Sequence, residues 1–373
     1  MNFKQLLSIV QYSASLVLLL IFFQSCVLTK KFSQTVFVPS TPLKHQKFTG
    51  QCWSFTSTSL LEAEALRLGY NIPELSSFFF VYHNYLENAT DYLDNQGRSH
   101  LNNGDLTFSV LEIFNTYGAV PESIYDGNLG SIKSKKEMRN RMSSENEMND
   151  LIRTKLDSII KNGEVNRQYS INIIRDVLED YIGQAPKEFT YNNESYTAKG
   201  YAEKFLPLNA SDYIELTSYN HLPFGQRVIL EIPANWRDKG YLNLPLEQFI
   251  ETIDKAIKGG FSLAWDGDIG PDGGFKDNGY VTLKGEYETL PTITQKERQS
   301  AFDRKTTQDE HNMHLVGITY DSSGEKFYIL KNTWGSNWGA DGLWYLSENY
   351  FRLRTISVTV HRDGIYGSKI STN

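Results

Sequence analysis

The spacing of apolar positions changes character along the chain. From Cys52 onward, Leu60, Leu61, Ala63, Leu66 and Leu68 follow a helical period and Gly69 stands as a stop, which predicts an amphipathic helix from about Cys52 to Leu68. Val110, Ile113 and Phe114, followed by Gly118, predict another over Leu106 to Tyr117. Two further stripes, Met148 to Ile160 and Ile171 to Tyr181, are parted by Asn162-Gly163. The basic run Lys133 to Arg141 reads as a solvated helix face, and from Phe189 the chain turns rich in Tyr, Asn and Pro, as expected of irregular structure with short strands. The last third carries short β-rich runs at 261–265, 314–320, 326–330, 342–346 and 355–360. Helices first and strands last predict an α+β fold of two lobes, with a cleft where they meet.

Composition adds that this is a folded chain without an obvious polymeric partner. Its 373 residues, 40% hydrophobic and 13% aromatic, suffice for a large core. The formal net charge is −7 with Lys and Arg scattered, so no basic face points to nucleic acid. No repeat or low-complexity tract occurs, and nothing excludes a homo-oligomer.

Residues 1–25 read as a signal peptide, because Lys4 is the only charge before Lys30 and Leu16 to Phe23 is continuously apolar. A retained transmembrane anchor is the alternative, since the uncharged stretch approaches a bilayer span. The run ends in Ser25-Cys26, which resembles a bacterial lipoprotein cleavage site with Cys26 as the lipidated residue and membrane anchor; a simply cleaved signal is the third reading. All three place the protein in the cell envelope or outside it. Residues 26–44 then form a linker and 45–373 the folded domain, with 126–245 as a long insertion.

Cys26 and Cys52 are the only cysteines. A lone Cys52 in an exported domain is either a small buried hydrophobe or a thiol with a task. Its place in the first turn of a predicted helix favours the second reading, because the unpaired N–H groups and the helix dipole stabilise a thiolate there. Such a nucleophile needs a histidine to take its proton and return it to the leaving group. His311 and His314 are both candidates, and strand alternation turns them to opposite faces, so only one can reach a cleft. They have no recognisable third ligand, so neither a metal nor another cofactor is expected.

Gln46-Lys-Phe-Thr-Gly-Gln-Cys52-Trp-Ser-Phe55, together with Lys331-Asn332-Thr-Trp334-Gly, resembles the motifs of papain-like cysteine peptidases. The resemblance implies a papain-like fold, with a helical lobe beside an antiparallel barrel-like lobe. It implies peptide substrates, Cys52 as nucleophile, Gln46 and the Cys52 N–H as oxyanion donors, and Asn332 as the residue that orients the histidine under the shield of Trp334. His-x-Met at 311–313 is similar to the bleomycin hydrolase and aminopeptidase C branch and selects His311 as the base. Lys47 and the Trp265-Asp-Gly-Asp268 run resemble the same branch. Gly104, Asp105, Trp53, Trp334 and Trp265 are placed at the substrate-binding surface. Asn103-Gly104-Asp105 departs from the usual Gly-Gly element, so Asp105 would either narrow a subsite or attract a cation.

The branch implies an aminopeptidase that acts through a Cys52 thioester. Roughly 20 residues separate Cys26 from Gln46, too few for an inhibitory prodomain, so control is expected from restricted access to the cleft. The insertion, Asp105 or the Asn373 carboxylate would then meet the substrate amine. An endopeptidase, another acyl transferase on the same scaffold and a non-catalytic envelope binding protein are the competing readings.

Overall fold

The computed structural model describes residues 32–365 apart from 100, 102, 128–134, 164–165 and 271–278. The signal segment, Cys26 and Asn373 lie outside the described residues.

Helix α1 (Cys52–Arg67) is the central element of the fold. The periodicity predicts an amphipathic helix, but every residue from Cys52 to Ala65 is buried. Several of its hydroxyls make this tolerable by bonding locally or to the next helix: Ser57 donates to the Trp53 carbonyl at 2.7 Å, Thr58 to the Phe55 carbonyl at 3.1 Å, and Ser54 to the Ser77 carbonyl at 2.7 Å. The buried Glu62 is neutralised by Lys44 at 2.8 Å and accepts from Thr41 and from the Leu75 N–H. That cluster also ties the chain preceding α1 to the helix.

Helix α2 (Ser77–Asp94) was not expected from the pattern. Its first turns read Ser-Phe-Phe-Phe-Val-Tyr, buried on several sides, so the one-faced stripe that reveals a surface helix is missing. The Ser76 side chain caps it by accepting from the Phe79 N–H at 3.0 Å. Helix α3 (Thr107–Tyr117), α4 (Lys135–Asn162) and α5 (Arg167–Ile182) follow. Met148, Ile152 and Leu156 of α4 and Ile174, Val177 and Leu178 of α5 join Trp53, Phe55 and the α2 aromatics in one hydrophobic cluster. The 126–245 stretch therefore shares its core with the nucleophile helix.

A hairpin of β2 (Glu188–Tyr191) and β3 (Glu194–Thr197) leads into helix α6 (Ala198–Phe205). The main sheet receives β1 (Phe32–Phe37), β4 (Tyr213–Thr217), β5 (Arg227–Ile229), β6 (Gly240–Asn243), β7 (Leu263–Gly267), β8 (Tyr280–Val281), β9 (His311–Asp321), β10 (Lys326–Lys331), β11 (Leu343–Ser347) and β12 (Thr355–His361). Its order is β5-β6-β4-β12-β7-β9-β10-β11-β8, with β1 also on β9. Pairing is antiparallel except for β4 with β6 and β11 with β8. The apolar faces of β7, β9, β10 and β12 pack with helix α7 (Leu246–Lys258) around Trp265, Met313, Tyr328 and Trp344. The fold is α+β, as the sequence predicts, and α1 lies between the helical lobe and the sheet. The start of α1 and the start of β9 meet at one end of that junction.

Candidate active site

Cys52 is the first residue of α1, and its N-cap, Gln51, makes no capping bond to the backbone. The Gln51 side chain is used elsewhere. Its amide donates to Glu145 of α4 at 2.8 Å, and its carbonyl oxygen accepts from the Trp53 indole at 3.0 Å. Glu145 also accepts from the Gly50 N–H at 2.8 Å, so one carboxylate clamps both residues ahead of the nucleophile. Sequence reasoning missed Glu145, whose partner lies 94 residues away and whose neighbours show only an ordinary helical stripe.

The loop before Gly50 passes through the left-handed region at Lys47 (φ 52°) and Phe48 (φ 64°), a conformation that non-glycine residues adopt at some cost. This turn folds the chain back so that Thr49 bonds the Gln46 carbonyl through both its N–H at 3.1 Å and its hydroxyl at 2.6 Å. Gln46 is buried, and its N–H donates to the Thr333 carbonyl at 2.7 Å. Its side-chain oxygen accepts from the Thr333 hydroxyl and its amide donates to the Thr49 carbonyl. An amide has two N–H donors, so one remains after the bond to Thr49.

His311 begins β9, and its Nε2 lies 2.8 Å from Asn332 Oδ1. That same oxygen accepts from the Thr333 N–H at 2.7 Å, which identifies it as the amide oxygen rather than the nitrogen. Nε2 therefore carries the proton, leaving Nδ1 as the basic nitrogen. Trp334 packs with its ring centroid 5.0 Å from the imidazole. Next in the strand, the Asn312 N–H points to the Cys52 sulfur, which joins the His311 segment to the nucleophile helix.

His314 sits elsewhere. It lies under α1 with Nδ1 2.9 Å from the Ser59 hydroxyl, two helical turns, or about 10 Å, along the helix from Cys52. Burial and the nearby Lys331 hold its pKa well below the ordinary value.

Burial pushes the Cys52 thiol up to about 12, against the Asn312 and Trp53 backbone N–H groups that lower it. Desolvation thus opposes the thiolate that the N–H groups at the helix terminus favour. Burial likewise pushes His311 down to about 4, opposed by its bond to Asn332. Burial disfavours the charged form of each group taken singly, and passage of the proton from sulfur to imidazole would give the two opposite charges.

Three residues assigned to the substrate surface are placed differently. Trp265 is buried in the sheet core with its indole donating to Thr355 at 2.8 Å. Asp105 is buried and already accepts from Asn84, the Leu106 N–H, Ser109 and Trp236, so it has no capacity left for a cation. Trp53 is buried as well, and its indole holds the Asn103 carbonyl at 3.0 Å, which brings the partly exposed Gly104 beside the first turn of α1. Trp334 does face open space, as part of a cavity of about 250 Å³ with His45, Gln46, Phe48, Met142 and Trp338. Among the described residues no group of three or more His, Cys, Asp or Glu side chains is placed to hold a metal ion.

Comparison with known proteins agrees with this geometry. The Peptidase C1-like family matches residues 24–371. Aminopeptidase C of Streptococcus thermophilus is 20% identical over 88% of this chain and 82% of its own length. Mitochondrial cysteine proteinase 1 of Saccharomyces cerevisiae (strain JAY291) is 23% identical over 88% of this chain and 76% of its own. Among solved structures, PepW of Lactobacillus rhamnosis superimposes with a TM-score of 0.68 at 18% identity, covering 97% of this chain and 91% of that one.

Proposed function

The chain belongs to the Peptidase C1-like family, and from that premise we propose that it is a cysteine aminopeptidase with Cys52 as nucleophile, His311 as acid and base, Asn332 as its orienting residue and Gln46 as an oxyanion donor. The observation that carries the reading is the His311 Nε2 to Asn332 Oδ1 bond at 2.8 Å, which frees Nδ1 on a strand whose next N–H reaches the Cys52 sulfur.

His311 Nδ1 takes the Cys52 proton as sulfur attacks the scissile carbonyl, forming a C–S bond while the carbonyl electrons move to oxygen. The Cys52 N–H and the remaining Gln46 N–H meet that oxyanion. His311 then returns the proton to the leaving amine as the C–N bond breaks. Water, deprotonated by the same imidazole, cleaves the thioester. The cavity walled by Trp334 and Trp338 lies beside Gln46 and suits the residues after the scissile bond.

The similarity to aminopeptidase C of Streptococcus thermophilus supports the aminopeptidase specificity. An aminoacyl fluorogenic amide is expected to be cleaved with a kcat/KM roughly 100-fold above that of its N-acetylated twin, because a blocked amine leaves its carboxylate partner unpaired. Equal values would instead support an endopeptidase.

Attachment to the cell envelope through a lipid on Cys26 is a second part of the proposal, supported by the Ser25-Cys26 junction behind the apolar run. Among the described residues no helix is long and apolar enough to cross a membrane. Cys26→Ser is expected to move the protein from the membrane to the soluble fraction or to arrest its processing. Unchanged processing and membrane association would remove the lipid from the picture.

A further inference from the structure

Among the described residues, a pair of carboxylates stands next to the nucleophile without a cation to balance them. Asp266 of β7 lies opposite Asn312 in the β7–β9 ladder, and the Asn312 N–H is the one that points to the Cys52 sulfur. Asp309, half-buried and just ahead of His311, lies within hydrogen-bond reach of Asp266 and accepts from the Ala234 N–H. Asp266 is only 4% exposed. One of its oxygens is approached by the Ser357 hydroxyl at 3.4 Å, while the other, Oδ1, receives no N–H or hydroxyl of another residue type among the described residues. The Tyr241 hydroxyl, buried among the same acids, is also without a partner among the described residues. Arg354 goes to the neighbouring Asp268 at 3.9 Å, and among the described residues neither Asp266 nor Asp309 is ion-paired with a cation.

Two carboxylates held this close do not both stay ionised. Burial and the partner's charge push Asp266 well up, with Glu215 adding to the effect; desolvation, with Asp105 nearby, pushes Asp309 up as well. A proton held between them lowers the charge the pair carries without cancelling it. That charge acts on Cys52 in the unfavourable direction, since both aspartates raise the thiol pKa. A carboxylate that impairs the nucleophile has a use if the substrate cancels it.

We propose that the Asp309–Asp266 pair binds the free α-ammonium of the peptide substrate and so makes the enzyme an exopeptidase. In an aminopeptidase substrate the ammonium is attached to the Cα next to the attacked carbonyl, so its anchor must stand close to the sulfur, as this pair does. The ammonium offsets the negative charge the pair retains, and it meets the half-buried Asp309 first, with Asp266 behind it. Binding also removes the penalty on the thiolate, so Cys52 becomes a better nucleophile when a substrate with a free amine is seated. The inference rests on the aminopeptidase reading above and names the residues that enforce it.

The test uses the full-length enzyme, the aminoacyl fluorogenic amide, its N-acetylated twin and iodoacetamide. Asp309→Asn preserves the shape and the acceptor for the Ala234 N–H. It is expected to lower kcat/KM for the free-amine substrate roughly 30-fold or more, to leave the N-acetylated twin unchanged or improved, and to alkylate at Cys52 no more slowly than wild type. Asp266→Asn is expected to shift the same ratio in the same direction. Wild-type enzyme that prefers the free amine, with both variants preferring it as strongly, overturns the assignment alone. Equal loss on both substrates, with normal alkylation, also overturns it by showing a merely structural role. Wild-type enzyme that cleaves both substrates equally overturns the assignment together with the aminopeptidase reading.

Discussion

Cys52→Ala abolishes turnover while the protein remains folded. The acyl-enzyme cannot form without the sulfur, and groups that act as one catalytic unit fail together, so kcat is expected to fall by about 10⁴-fold or more. Ala removes the sulfur that the Asn312 N–H points to, but α1 does not depend on that contact alone. Its helix is held by the Glu145 clamp on Gly50 and Gln51 and by the Lys44–Glu62 pair, all of which remain. Removing one buried sulfur costs about 1 kcal/mol. The check pairs a turnover assay with thermal unfolding. A folded variant that keeps wild-type kcat would end the covalent mechanism, and an unfolded one would show that the thiol is structural.

Gln46→Ala is expected to lower kcat by roughly 10²- to 10³-fold with little change in KM, the signature of an interaction made only in the transition state. The side chain lies buried between Thr333 and Thr49 with one N–H uncommitted. The loop itself is held by backbone bonds that do not need that side chain, from the Gln46 N–H to Thr333 and from Thr49 to the Gln46 carbonyl. The loss should therefore appear in chemistry rather than in folding. A fall in kcat of less than about threefold would place the oxyanion elsewhere; a rise in KM with kcat intact would make Gln46 a binding residue.

Both experiments probe a site whose two halves come from opposite ends of the chain. The Asn332 amide works on His311 only because β9 and β10 pair, and the Gln46 loop reaches Thr333 only because the chain before α1 crosses to the β10 end of the sheet. Burial opposes the charged form of both Cys52 and His311. Reactivity is then a property of the pair and of what the substrate brings, not of the helix terminus alone.

The sequence by itself determined the start of α1 at Cys52, the strands β9 to β12 and the α+β order, because these depend on residues close in the chain: a Gln six positions before Cys-Trp, alternation of period two, and Gly-rich turns. Helix α2 escaped it because burial on several sides erases the stripe that marks a helix. Whether a polar or aromatic residue faces the cleft or the core could not be read at all. Asp105 looks like a subsite carboxylate until Asn84, Ser109 and Trp236 supply its donors, and Trp265 looks like a cleft aromatic until Thr355 receives its N–H. Glu145 and Asp309 are the reverse case, ordinary acids in sequence that the fold brings beside Gln51 and Asp266. Local pattern specifies elements because their periods are short-range. The environment of a charge is set by donors and acids distant in sequence, and so it was decided only when the sheet and helices had packed.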